Sequence, residues 1–485
     1  MPVEETGAPK TCYLMDLSVS IHCPQCGARI SFEEESTVIH CTYCGSSLHV
    51  TGRSGILRHY IEPRENVPQM KKALRNVLKS LGAKKALLGE KQLCFAPYWR
   101  VKGTVYRWIF GKDRNEHHVK ELKSKHLDRT FPAYHGIDLG LRTLGIRPGA
   151  LTLPFFDRVR MSAAGSIMKV DLPLKDAVNP EAIIRDVGLD ETNIQVHFER
   201  TRLVGERYGV IYFPFWIMRL SLGSDARILV VDAVANTVTR VLTPVEWQDM
   251  WADRTQNRPA VDFGKVAFIA FKCPNCGWDL PLNRFDVIHF CRTCKRAWIE
   301  QGGRFRPVKF EVAQIPGNGK ADTIYLPFWV CRGEIRTNGQ TLKTTEDLKA
   351  FINPYALGKT KKTEPNPLRF FIPATRIRNI LAADKLAAGV TRQQPVYQPS
   401  SIGRLEDLNA LGTFLSPRTA RRMADLLLCS LTPAGNRTRQ EWVKHARIHI
   451  HGVRLLLWPF YGQRLFLRDA ICGLGIQKGT LGLAG

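Results

Sequence analysis

Apolar residues recur at Met70, Ala73, Leu74, Val77, Leu78 and Leu81, a spacing that places them on one face of a helix. Lys71, Lys72, Arg75 and Lys79 fall on the other face, and Gly82 is a natural C-terminal stop. The pattern predicts a helix lying on a core with a solvated basic back; contact with a polyanion is the alternative. Elsewhere the period shortens to two. Leu93-Cys94-Phe95-Ala96-Pro97-Tyr98-Trp99, followed by Val101, Gly103 and Val105, reads as a strand with its proline at an edge or bulge. Its Pro-aromatic core returns as Phe213-Pro214-Phe215-Trp216, Leu326-Pro327-Phe328-Trp329 and Trp458-Pro459-Phe460-Tyr461. Residues 227–233 and 464–470 read as return strands of hairpins. The flanking alternation favours structural cores over base-stacking platforms.

The order of these landmarks repeats. Cys23, Pro97, Pro132, Pro180 and Pro214 are matched by Cys273, Pro327, Pro373, Pro417 and Pro459, at offsets of 250, 230, 241, 237 and 245 residues. Phe131-Pro132-Ala133 is expected to open a helix stopping at Gly145, and Ile372-Pro373-Ala374 one stopping at Gly389. Asn179 and Ser416 read as N-caps with proline at the first helical position. The fold expected is α+β: a tandem duplication of a module made of a four-cysteine zinc ribbon plus mixed antiparallel sheet and helices, with two similar modules about a pseudo-twofold axis. The segments are ribbon I at 1–58, a first module at 59–252, ribbon II at 265–310 and a second module at 311–485. Residues 13–17 read as a strand leading into ribbon I. Residues 253–264 form the joint, and 359–367 and 393–401 read as the least ordered stretches.

Each ribbon is two C-x-x-C knuckles: Cys23, Cys26, Cys41 and Cys44, then Cys273, Cys276, Cys291 and Cys294. Zinc takes four ligands in a tetrahedron and suits thiolate. Two cysteines two residues apart can reach one ion through a tight turn, and Pro24, Gly27, Pro274 and Gly277 favour such turns. Residues 28–40 must run out and return, as a hairpin arm. The expected cofactors are two structural Zn2+ ions; disulfides or an iron–sulfur cluster are the alternatives, and disulfides need an oxidising compartment. His22, His40 and His289 lie near the knuckles but read as surface or outer residues, since four thiolates already close each site. Cys12, Cys94, Cys331, Cys429 and Cys472 read as reduced core thiols.

Charge changes the picture most. Seventy Lys and Arg against 44 Asp and Glu give a net +26, a surface that attracts polyanions. The ribbons differ here. Glu33, Glu34 and Glu35 make an acidic tip on ribbon I. Lys272, Arg284, Arg292, Lys295, Arg296, Arg304, Arg306 and Lys309 surround ribbon II, with Trp278 and Trp298 nearby. Ribbon II is therefore the candidate polyanion contact, unless its tryptophans are buried in the core. No secretory signal or long apolar run is found, so the cytoplasm is the expected location.

The C-P-x-C-G ribbon, the basic helix and the Pro97-Tyr98-Trp99 strand together resemble a functionally loosely defined group of prokaryotic zinc-ribbon proteins. Their ribbon looks like that of general transcription factors. The resemblance covers residues 21–110 best, and 205–240 and 266–335 less closely. It implies metal binding. Many members carry membrane helices, which this sequence lacks.

No H-E-x-x-H, G-x-S-x-G or P-loop pattern occurs, so no catalytic residue is assigned. His449 and His451 are expected to face out together from a strand whose Ile448 and Ile450 face in. The leading expectation is a non-catalytic, zinc-stabilised binding or scaffold protein whose basic surface recruits an acidic partner protein. The alternatives are nucleic-acid binding through ribbon II, and an enzyme with no recognisable motif.

Overall fold

The computed structural model describes residues 23, 25–28, 38–52, 56–83, 86–141, 153–177, 189, 193–255, 260–261, 263, 266–281, 286–301, 304–315, 323–337, 339–353, 366–400 and 409–483. The fold is mixed α+β with mostly antiparallel sheet. Among the described residues the first elements are β1 (Val38–His40) and β2 (Ser47–Gly52), then β3 (Leu57–Tyr60) and helix α1 (Val67–Ser80). Next come β4 (Leu87–Lys112), β5 (His118–Pro132), α2 (Arg158–Ala164), β6 (Ser166–Ile167) and α3 (Leu174–Ala177). β7 (Gln195–Leu222), β8 (Asp225–Asp232), β9 (Thr237–Leu242) and α4 (Pro244–Thr255) close the first half. The second half holds β10 (Val266–Ala270), β11 (Ile288–Phe290), β12 (Ala297–Glu300), β13 (Phe305–Val308), β14 (Phe310–Ala313), β15 (Thr323–Thr337) and β16 (Gln340–Leu342). It continues with α5 (Thr345–Ile352), β17 (Arg369–Pro373), α6 (Ile380–Gln393), β18 (Pro399–Ser400), α7 (Pro417–Leu431) and α8 (Arg437–His445). β19 (Arg447–Gly462), β20 (Phe466–Asp469) and β21 (Gly475–Gln477) follow, then a 3-10 turn over Lys478–Leu481.

Two large sheets organise the halves, one along β5-β4-β7-β8-β9 and one along β16-β15-β19-β14-β18. Their central contacts correspond. The amide of Ala133 donates to Pro97 O, and that of Ala374 to Pro327 O. The indole of Trp99 donates to Leu172 O at 2.8 Å, and that of Trp329 to Leu415 O at 2.7 Å. Asp232 and Asp469 each accept two amides of the turn that follows them. β3 runs parallel to β7, as β14 does to β19. The prolines lie inside paired strands rather than at an edge or bulge. Each one's missing N–H falls where the neighbouring strand has already left, so no ladder bond is lost.

Helix α1 forms as its periodicity predicts. Asn66 caps it, accepting from the Gln69 amide, and Gly82 leaves it at φ +63°. Met70, Leu74, Val77 and Leu78 pack on the Met218–Leu229 patch, and the basic face is exposed. Helix α7 likewise starts at the Ser416 cap.

Several expectations fail. Phe131-Pro132-Ala133 opens no helix over 133–141: β5 runs to Pro132, and Ala133 is tied by its amide to Pro97 and by its carbonyl to the Asp171 and Leu172 amides. Ile372-Pro373 ends strand β17, and α6 starts only at Ile380, capped by Asn379. Gly389 does not stop that helix. A Cβ there would meet Leu474 Cδ1 at 2.7 Å, so it is a close-packing glycine. Residues 394–398 are held in place: buried Gln394, at φ +47°, bonds both Arg369 and Thr391 through its side chain. The joint begins inside α4 and ends with Phe263 buried in the first-half core. The Asn179 helix, Cys12, residues 13–17, most of 359–367 and the Glu33–35 tip lie outside the described residues.

The halves also differ in reach. β4 and β7 span 26 and 28 residues, against 15 and 16 for β15 and β19. The extra length crosses into the second half. Trp108, Phe110, Phe198 and Val204 join one core with Phe351, Leu427 and Val443. Arg200, 6% exposed, and Arg202 each bond Asp425 at 2.8 Å, and Arg422 pairs with Glu206. Of these, Arg200–Asp425 is the buried pair, and loss of one partner from a buried pair typically costs about 3–5 kcal/mol.

Candidate metal centres and a basic ribbon

The four knuckles share one backbone geometry. In each, an amide returns to the first cysteine's carbonyl: Gly27 to Cys23 at 2.8 Å, Gly45 to Cys41 at 2.9 Å, Gly277 to Cys273 at 2.8 Å and Lys295 to Cys291 at 3.0 Å. The returning residue takes a left-handed φ of 72°, 73°, 76° and 60° respectively. Three are glycines, for which that region is free; Lys295 is the exception. The arms match too. Ile39 pairs with Leu48 and His289 with Trp298, the same ladder in both ribbons. The third strand differs: β13 completes ribbon II, whereas β10, within the segment assigned to ribbon II, completes ribbon I by pairing with β2.

All four sulfurs of each cluster lie within 4.8 Å of one another. Cys23 and Cys44 are 3.6 Å apart and Cys26 and Cys41 3.7 Å; Cys273 and Cys294 are 3.4 Å apart and Cys276 and Cys291 3.5 Å. A disulfide would need about 2.05 Å. A tetrahedron with metal–sulfur bonds of about 2.3 Å has edges of about 3.8 Å. The clusters therefore fit a metal ion and not disulfides. A hydrogen bond with the Ser46 side chain, reinforced by the Ser46 amide, holds Cys44 down at about 6. The Trp278 amide pulls Cys276 down, but desolvation and protons shared with Cys291, Cys273 and Cys294 push it up to about 12. Four thiolates this close repel unless a cation sits among them.

Ribbon II has a small core of its own: Phe271, Leu280 and Trp298 around the cysteines. Trp298 is 6% exposed, so it is a packing residue, and His289 is buried with its ring 4.7 Å from that of Phe271. Trp278 is the opposite case, 66% exposed. Lys272 lies exposed before the first knuckle. Arg292 and Arg296 are exposed on the second, with Lys295 between them donating its Nζ to Arg292 O. Arg304, Arg306 and Lys309 are exposed on and beside β13. Arg284 lies outside the described residues.

The remaining candidates resolve simply. Trp99, Trp329 and Trp458 are fully buried and Trp216 is half-buried beneath Lys91 Nζ, so the Pro-aromatic motifs pack as cores. Cys94, Cys331 and Cys429 are buried and Cys472 half-buried, none of them in a disulfide; burial pushes Cys331 up to about 12. His449 and His451 face out as expected, with His451 3.8 Å from Glu334. Sequence reasoning passed over one basic group, Lys102, Arg207, Arg376 and Arg378, which lines a cavity between the halves. These residues come from three separate stretches of chain and carry no motif; strand pairing opposes Lys102 and Arg207, and the turn before α6 adds Arg376 and Arg378.

Comparison of the chain with family models, with curated proteins and with solved structures found no match. The class of protein thus rests on what the chain contains: a mixed α+β fold with two four-cysteine clusters, each able to hold a metal ion. Among the described residues no helix is long and apolar enough to cross a membrane.

Proposed function

We propose that this is a non-catalytic, zinc-stabilised nucleic-acid-binding protein, built by tandem duplication, whose second ribbon makes the contact. The observation carrying the reading is that Trp278 is exposed on the first knuckle of ribbon II, while Lys272 before it and Arg292 and Arg296 on the second knuckle are exposed too. An exposed ring on a ribbon with exposed cations is what base stacking with phosphate contact requires. Zinc is supported by the all-sulfur, tetrahedron-sized clusters. Both are structural sites, since four thiolates leave no open position for substrate. Duplication is supported by the matching ribbon ladders and by the corresponding Pro, Trp and Asp hydrogen bonds of the two sheets.

The test is binding to mixed-sequence single-stranded RNA and DNA. Reversing Arg292 and Arg296 together to glutamate abolishes it on this reading. An acidic protein partner engaging the same arginines is the second reading; its complexes survive nuclease treatment, whereas nucleic-acid complexes do not.

A further inference from the structure

A cavity of about 740 Å³ opens between the two halves. That is within the range of small-molecule sites. Its first-half wall is built on a bulge. Lys102 and Arg207 are direct cross-strand partners there, and the ladder then shifts register between Lys102 and Thr104, with Gly205 at φ +69°. Bulges re-aim side chains beside sites. On its other side Lys102 stands opposite Asp128 of β5.

The facing wall adds more positive charge. Arg376 and Arg378, both exposed, line the cavity from the turn between β17 and α6. Helices α6 and α7 both begin on it, through Ile380 and Ser416. Their N-termini carry partial positive charge. The two carboxylates among the described lining are already engaged: Glu206 pairs with Arg422, and Asp384 accepts from Ser430 Oγ at 2.8 Å. Burial also pushes the Asp384 carboxyl up, towards its neutral form. Between the cationic walls the lining is apolar and aromatic, with Tyr106, Met423 and Leu427.

We propose that this cleft binds a nucleotide, its phosphates held by Lys102, Arg207, Arg376 and Arg378 and its base set against Tyr106 and Met423. A cationic ring alone would suit any anion; the adjoining aromatic and thioether surface selects one that carries a planar base. The site stands independently of the ribbon II contact, since none of the described ribbon II arginines lines it.

Calorimetric titration of the full-length, metal-loaded protein with AMP, ATP, adenosine and inorganic phosphate tests it. ATP is expected to bind more tightly than AMP, and both at least tenfold more tightly than adenosine or phosphate. Arg207→Glu and Arg378→Glu, at exposed positions, are each expected to weaken ATP at least tenfold, as is Tyr106→Ala. Arg207→Gln serves if a reversal impairs folding. The same reversal at Lys71, on the exposed face of α1, leaves affinity unchanged. Absence of AMP and ATP binding at millimolar concentration would overturn the proposal. So would ATP affinity unaltered by the Arg207 and Arg378 variants, or phosphate binding as tightly as ATP.

Discussion

Ribbons I and II share their knuckles and two-stranded ladder, and differ in the strand that completes each and in the side chains they present. Their knuckles return through the same amide bonds, their ladders pair corresponding residues, and their sulfurs sit at the same spacing. Their outer surfaces differ. Ribbon I places Ala28 and Ser46 after its knuckles; ribbon II places Trp278 and Arg296 at the corresponding positions. Ribbon II even accepts a left-handed lysine, Lys295, where the other three knuckles use glycine. The lesson is that the metal geometry sets the scaffold and leaves the surface free to specialise. Four cysteines alone therefore say nothing about a partner.

The comparison breaks most severely at the metal. Cys276→Ser removes one thiolate from ribbon II, and metal binding there is coupled to folding at roughly 10–16 kcal/mol in isolated zinc modules. The variant is expected to keep only the ribbon I ion and to lose the folded ribbon II. Elemental analysis of the purified protein reads this directly, and full metal content would contradict it. Next in size is the pair Arg292→Glu and Arg296→Glu, expected to abolish nucleic-acid binding while both metal ions remain. Equal loss from reversing exposed lysines on α1 instead would show that bulk charge, and not ribbon II, does the binding. Trp278→Ala should cost about 1–3 kcal/mol of affinity for single strands, the worth of one stacked base. An unchanged dissociation constant would make Trp278 a bystander. The smallest effect is stabilising. Lys295→Gly relieves a left-handed non-glycine residue, for about 1 kcal/mol in a denaturant titration; a lower midpoint would mean that the lysine side chain holds the knuckle.

The ribbons were legible in the sequence because their chemistry is local: ligand spacing and turn glycines lie within a few residues of each other. Helix α1 was legible for the same reason, and so was the Ser416 cap of α7. The failures are where distant chain decides. Ala133 looked like a helix start, but its backbone is claimed by Pro97 on one side and Leu172 on the other. Trp278 and Trp298 were indistinguishable until the β11–β12 ladder turned Trp298 inward opposite His289. Charge counting found the ribbon II arginines, yet missed Lys102 and Arg207, which meet only across a bulge. Nor did the sequence reveal that β4 and β7 outrun their counterparts and enter the second half's core.

The most direct test of the central claim is affinity for single-stranded RNA and DNA as a function of salt, for the native chain and for the Arg292→Glu, Arg296→Glu variant. Each phosphate contact adds about 0.7 to the log–log slope on single strands. The account predicts binding that persists near physiological salt with a slope of several contacts, lost in the variant. Binding that vanishes at that salt, or a slope identical in both proteins, would contradict it and return the basic ribbon to a protein partner.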